Sequence, residues 1–203
     1  MNIRWSWILL AQLCFSVAVL PEAFAAKRKM TAGQFPMFVG SRWVYTVDDS
    51  VGGHRDTVHV RIVGMTDFPG GKRAGVWEYR SSASTDTQYV VRAGDTISFY
   101  RSKSASSVVA VFVFPILPGR KWTISPRGTT EATRTLTAVV PAGKFCRSFE
   151  VVSRPNLPNF MGGTTYTLAP RVGIIRKHTA SVYTISDEHE NTSWRLLSWK
   201  ISK

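Results

Sequence analysis

The side chains with chemistry to offer are few and scattered. The histidines are His54, His59, His178 and His189. The close pair, His54 and His59, has an odd separation, so within a straight strand the two rings face opposite sides and a shared metal is not expected. Asp187-Glu188-His189-Glu190 gathers three carboxylates and an imidazole in four residues, enough ligand types for a cation. It lacks the spaced oxygens and turn glycine of a calcium loop, and between two strand-like runs it reads as a solvated hairpin tip. Asp48-Asp49 before Gly52-Gly53 reads the same way. Cys146 and His178 are a nucleophile and a base by residue type, and nothing else marks them as a pair. No G-x-S-x-G elbow occurs. Gly70-Gly71-Lys72 and Gly162-Gly163-Thr164 lack the spacing of a phosphate loop and read as turns. The expectation is therefore no catalytic residue, no metal and no cofactor, with a hydrolase site assembled from distant residues ranked last.

The elements that would carry any site are strands. Val58, Val60 and Ile62 point one way while Thr57, His59 and Arg61 point the other, the period of a half-buried strand. Similar runs follow at Val76 to Arg80, Tyr89 to Arg92, Thr96 to Tyr100, Thr133 to Val140, Phe149 to Ser153, Thr164 to Leu168, Gly173 to His178 and Ser181 to Ile185. Gly52-Gly53, Pro69-Gly70-Gly71, Ala93-Gly94-Asp95, Pro118-Gly119, Pro141-Ala142-Gly143 and Gly162-Gly163 supply the reversals. Val108 to Phe114 is apolar throughout, which predicts a central strand covered on both faces, at the heart of the core. Thr192 to Ile201 fits either a strand or a helical face lined by Trp194, Leu197 and Ile201; strand is preferred. The pattern Phe35-Pro36-x-x-x-Gly40-x-x-Trp43 recurs as Phe114-Pro115-x-x-x-Gly119-x-x-Trp122. It reads as hairpin grammar used twice, a glycine bend followed by a tryptophan anchor.

The N-terminus is a separate matter. Arg4 precedes an apolar run from Trp5 to Leu20, Pro21 follows, and Ala23-Phe24-Ala25 offers a small-x-small site: a secretory signal, with cleavage expected after Ala25. Residues 26–34 then form a basic N-terminal tail and residues 35–203 one β domain. Only Cys146 survives cleavage, so no internal disulfide can form, and its place beside Phe145 predicts a buried, inert thiol. Lys and Arg number 26 against 13 Asp and Glu, a formal +13 that belongs wholly to the mature chain. The charge is spread singly through strand-like segments apart from Lys27-Arg28-Lys29. A solvated sheet face is the favoured reading, and a dedicated anion-binding surface the alternative. No basic-aromatic motif for nucleic acid is present, so no nucleic-acid partner is expected, and no transmembrane span is expected in the mature protein.

Phe35-Pro36-Met37-Phe38-Val39-Gly40-Ser41-Arg42-Trp43-Val44-Tyr45, then Val140-Pro141-Ala142-Gly143-Lys144-Phe145, then Ala169-Pro170-Arg171-Val172-Gly173, occur in that order. The chain resembles a family of exported bacterial β-rich domains of unknown function that combine G-x-x-W-x-Y, P-A-G-x-F and A-P-x-V-G motifs. It differs at Thr167 and Leu168, where the family carries aromatics, and at Arg171, where a small residue is common; these departures weigh against an aromatic-lined site. The resemblance implies a curved antiparallel sheet similar in outline to periplasmic half-barrel carriers of lipid or lipoprotein acyl chains.

The expected fold is all-β: a single twisted antiparallel sheet, a β-roll or open half-barrel meander, preceded by a cleaved signal helix. The expected function is that of a non-enzymatic, exported envelope protein, periplasmic before outer-membrane-associated or secreted. Its concave face would bind an apolar or amphipathic ligand such as a lipid, or an envelope protein, with Trp43, Tyr45, Trp122 and Tyr166 as candidate lining and ordinary core as the competing role for those aromatics. The alternative is electrostatic binding of anionic envelope polymers or lipopolysaccharide through Lys27, Arg28, Lys29 and Arg61.

Overall fold

The computed structural model describes residues 29–124, 128–186 and 188–202. The signal segment 1–25, Lys27, Arg28 and Asp187 lie outside the described residues. Twelve strands form one antiparallel sheet, rolled into a nearly closed barrel: β1 Arg42–Asp49, β2 His54–Phe68, β3 Lys72–Arg80, β4 Thr85–Ala93, β5 Thr96–Tyr100, β6 Val108–Val113, β7 Lys121–Thr123, β8 Gly128–Val140, β9 Gly143–Pro155, β10 Phe160–Ala169, β11 Gly173–Tyr183 and β12 Glu188–Lys200. The order across the sheet is β6-β5-β4-β3-β2-β1-β12-β11-β10-β9-β8-β7. It consists of two six-strand meanders joined edge to edge by the β1–β12 ladder, in which Trp43 lies opposite Trp199 and Val47 opposite Trp194.

The recurring Phe-Pro-Gly-Trp pattern marks the start of each meander. Gly40 (φ 88°) and Gly119 (φ 85°) take the same left-handed conformation. Each donates its N–H across to the next strand, Gly40 to the Ile62 carbonyl at 2.8 Å and Gly119 to the Ala132 carbonyl at 2.6 Å. The return bonds match as well: Ile62 N–H to Ser41 and Ala132 N–H to Arg120. The repeat is thus more than generic turn chemistry, because it builds one hydrogen-bonded corner twice, at corresponding places in the two halves.

Several sequence expectations are corrected by the ladder. Val108–Val113 is not central: β6 is an outermost strand, with Ala110 and Phe112 buried and the valines between them half-exposed. Its unbroken apolar character serves a seam, where β6 faces β7 without a strand ladder. The Trp122 indole donates across it to the Val111 carbonyl at 2.8 Å, and Arg120 donates to the Pro115 carbonyl at 2.8 Å. Gly162-Gly163 is no turn; both glycines lie inside β10, where a Cβ at Gly162 would meet the Ala180 carbonyl oxygen at 2.2 Å and one at Gly163 the Ser153 oxygen at 2.4 Å. They let neighbouring backbones approach closely. The two runs from Gly173 to Ile185 are one strand, β11, as far as Tyr183. Cys146 is exposed, not buried. An irregularity between Leu136 and Ala138 of β8 places Cys146 and Arg147 outside the regular pairing, so both point to solvent instead of alternating. Thr192 to Lys200 is strand as preferred, with Leu196 in the core and Leu197 and Trp199 exposed.

A twelve-stranded barrel is too wide for its own inward side chains to fill, since about eight strands already leave an interior just filled by side chains. Here one end is plugged. Residues 30–34, grouped by sequence with the basic tail, lie against that end: Met30 pairs with Ile116, Ala32 is buried, and Arg171 N–H donates to the Gln34 carbonyl at 2.7 Å. Phe35 enters the floor among Trp77, Phe99, Phe112 and Phe114, with ring centroids 6.1–6.3 Å apart. The other end, where the β1–β2, β3–β4, β5–β6 and β11–β12 turns lie, has no such plug among the described residues.

Candidate functional site

The unplugged end leads into a cavity of about 360 Å³ within the barrel, within the usual range for small-molecule sites. Its depth is aromatic. Trp43 and Trp77 stack at 4.9 Å, Phe99 meets Trp77 edge-on at 5.5 Å, and Phe112 on β6 meets Tyr166 on β10 at 5.2 Å across the interior. Strand parity explains the set: Trp43, Tyr45 and Val47 alternate on β1, and Trp77 and Tyr79 on β3, so each pair of ladders delivers its rings to one face. Trp43 is anchored by its indole N–H to the Val172 carbonyl at 2.7 Å, and Tyr45 by its hydroxyl to the Ile174 carbonyl at 2.7 Å. These bonds hold large rings upright in the wall instead of letting them collapse inward.

Nearer the mouth the lining turns polar. Asp86, Gln88, Arg101, Thr164, Thr179, Lys177 and Glu190 join it. Tyr166, Lys177 and Trp194 are successive cross-strand neighbours on β10, β11 and β12, and the Lys177 ammonium lies over the Trp194 ring, 5.3 Å from its centroid. Burial lowers the Lys177 pKa from its ordinary value; Glu190 opposes that shift and Arg101 adds to it. Among the described residues, no hydrogen bond or ion pair reaches the Lys177 ammonium. Burial raises the pKa of all three cavity tyrosines, Tyr45 and Tyr79 well upward and Tyr166 to about 12, so their hydroxyls remain protonated donors. Trp77 Nε1 is buried without an acceptor.

Of the aromatics singled out in the sequence, Trp43, Tyr45 and Tyr166 come together around this cavity while also belonging to the core, at 2%, 6% and 7% exposure. The two roles set against each other by sequence coincide. Trp122 does not line the cavity; it packs against the core and bridges the seam to Val111. An aromatic-lined chamber exists in spite of Thr167 and Leu168, since the rings come from β1, β3, β5, β6, β10 and β12. Among the proposed anion contacts, Arg61 sits on the outer face with its guanidinium on Glu78 at 3.0 Å, and Lys29 is exposed. Trp77, Tyr79, Phe112, Lys177 and Trp194 were not singled out by sequence. The available signal for Lys177 was a lysine on the same strand parity as Ile175 and Thr179, both buried.

No protein-family model matches the chain, and no curated protein matches it. Among solved structures it is similar to a candidate exported protein with a YmcC-like fold from Bacteroides fragilis, at 15% identity and a TM-score of 0.47, covering 82% of this chain and 98% of that one. It is also similar to a candidate lipoprotein from Parabacteroides distasonis, at 13% identity and a TM-score of 0.41, covering 82% of this chain and 97% of that one.

Proposed function

We propose that the mature chain, released after Ala25 as one β domain, is an envelope protein that binds an apolar or amphipathic molecule inside its barrel. The observation that carries this reading is the 360 Å³ chamber, aromatic in its depth and polar at its mouth. Apolar walls with a few placed polar groups are the usual composition of a small-molecule site. The wall is anchored by side-chain to backbone bonds and plugged at one end, so the space is built in, not left over. Residues 1–25 supply the route out of the cytoplasm. A binding role is favoured over an enzymatic one because the inner wall is aromatic, with one ammonium and hydroxyls held protonated. Electrostatic capture of polyanions receives less support. Arg55 and Arg195 converge on Asp48, Arg134 meets Glu150, and Arg61, the strand-borne residue expected to make such contacts, already meets Glu78.

Native mass spectrometry of protein recovered from the cell envelope tests the reading. The expected result is a discrete apolar or amphipathic adduct, lost in Ala110→Phe, which fills the chamber from β6. Adduct-free spectra on repeated preparation, with tryptophan emission indifferent to every amphiphile offered, would overturn it.

A further inference from the structure

We propose that the molecule held in this barrel carries an anionic head group, which the Lys177 ammonium receives with the Tyr79 hydroxyl as a second donor, while its apolar part points to the Trp43–Trp77 floor. The inference rests on the binding role proposed above and adds the charge of the ligand. It is carried by an imbalance in the polar lining. Lys177 is the cation set among the aromatic walls, and its contact is a ring face, not a counter-ion. A charge withdrawn from water without a hydrogen-bonded partner is unfavourable unless something of opposite sign arrives.

The charged groups that face it come from three elements. Glu190 on β12 is exposed and already accepts the Thr192 hydroxyl at 3.3 Å. Asp86 on β4 is exposed and accepts the Ser84 hydroxyl at 3.5 Å. Arg101, just beyond β5, is exposed and repels Lys177. Both carboxylates therefore stand in water at the rim, whereas the ammonium lies further in. A cationic head group would meet Lys177 before it reached the apolar floor; an anionic one would find a donor there. Tyr79 strengthens the assignment, because its hydroxyl is in the cavity wall and has no hydrogen-bond partner among the described residues. With Tyr166 beside it, the wall next to the ammonium presents a second tyrosine hydroxyl. The depressed Lys177 pKa agrees with a site missing its counter-charge. Carboxylate and phosphate share the chemistry required.

The test is a tryptophan-fluorescence titration of the mature protein with octanoate, octyl phosphate, octanol and octyltrimethylammonium. Octanoate or octyl phosphate is expected to bind about ten-fold or more tighter than octanol, and the stronger of the two identifies the head group. Lys177→Met should bring the preferred anion level with octanol, and Lys177→Arg should keep the preference, which separates charge from packing. Equal binding of all four probes, or an anion preference that survives Lys177→Met in protein with an unchanged circular dichroism spectrum, overturns the head-group assignment and leaves the binding role standing. Binding of none overturns both.

Discussion

Lys177 and Trp194 illustrate how one rung of side chains shapes both stability and binding. Lys177 is half-buried, and desolvation holds its folded-state pKa below the ordinary 10.5. Over the interval from that lowered value up to 10.5, the unfolded chain holds more of this proton than the folded one, so stability rises with pH across it. Below the interval the full desolvation penalty is present. Lys177→Met keeps most of the unbranched apolar stem and removes the penalty, so at neutral pH it should melt roughly 2–4 °C higher, the shift ~1 kcal/mol gives in a chain of this size. The rise in melting temperature toward alkaline pH should flatten in the variant. A melt series in which Lys177→Met is less stable than the parent at neutral pH would show that the ammonium is satisfied in the fold. A residue that is unfavourable for stability and favourable for an anionic ligand is the pattern expected of a binding residue. Cys146 teaches the opposite lesson: its apolar neighbour Phe145 packs on Trp199 at 5.4 Å while the thiol, displaced by an irregular register, faces solvent.

At the scale of elements, the seam is the feature that a strand-by-strand reading does not reach. β6 and β7 are outermost strands, and exposed strand edges are normally protected by pairing or cover. Here the Trp122 indole, the Arg120 guanidinium and the Met30–Ile116 bridge take that role. Trp122→Phe keeps an aromatic ring and removes the donor to Val111 together with part of the indole's packing. It should lower stability by at least about 1 kcal/mol, the usual worth of the bond alone. Amide hydrogen exchange should quicken in Val108–Val113 while β3, three strands in from that edge of the same meander, keeps its protection. Unchanged exchange in β6 would mean that packing alone holds the seam. The paired glycine corners belong to this scale too. Alternation and turn residues made each corner recognisable in the sequence, but their equivalence emerges only when each is seen to open a six-strand meander.

The whole molecule is a basic barrel with an aromatic interior, plugged at one end and, among the described residues, open at the other. The N-terminus of the exported protein should be Ala26, read by Edman degradation or intact mass; recovery of residues 1–25 on the mature protein would place the chain on a membrane anchor instead. The plug depends on the segment that follows: Met30, Ala32 and Phe35 are buried, so the chain enters the floor of the barrel directly after the exposed Lys29.

How far the amino-acid order carries is set by the range of the forces it encodes. Side-chain alternation has a period of two and turn chemistry spans four residues, so strands, reversals and the inward parity of Trp43, Tyr45 and Tyr166 follow from local pattern. Local pattern is silent about which strands meet. The β1–β12 pairing joins the two ends of the chain, and whether Val108–Val113 is central or outermost depends on that pairing, not on its composition. Local alternation also fails where a bulge inserts an extra residue, as at Cys146. The chamber lies further still from local pattern. Its rings arrive from strands far apart in sequence, and an empty volume exists only because twelve strands close more widely than their side chains can fill.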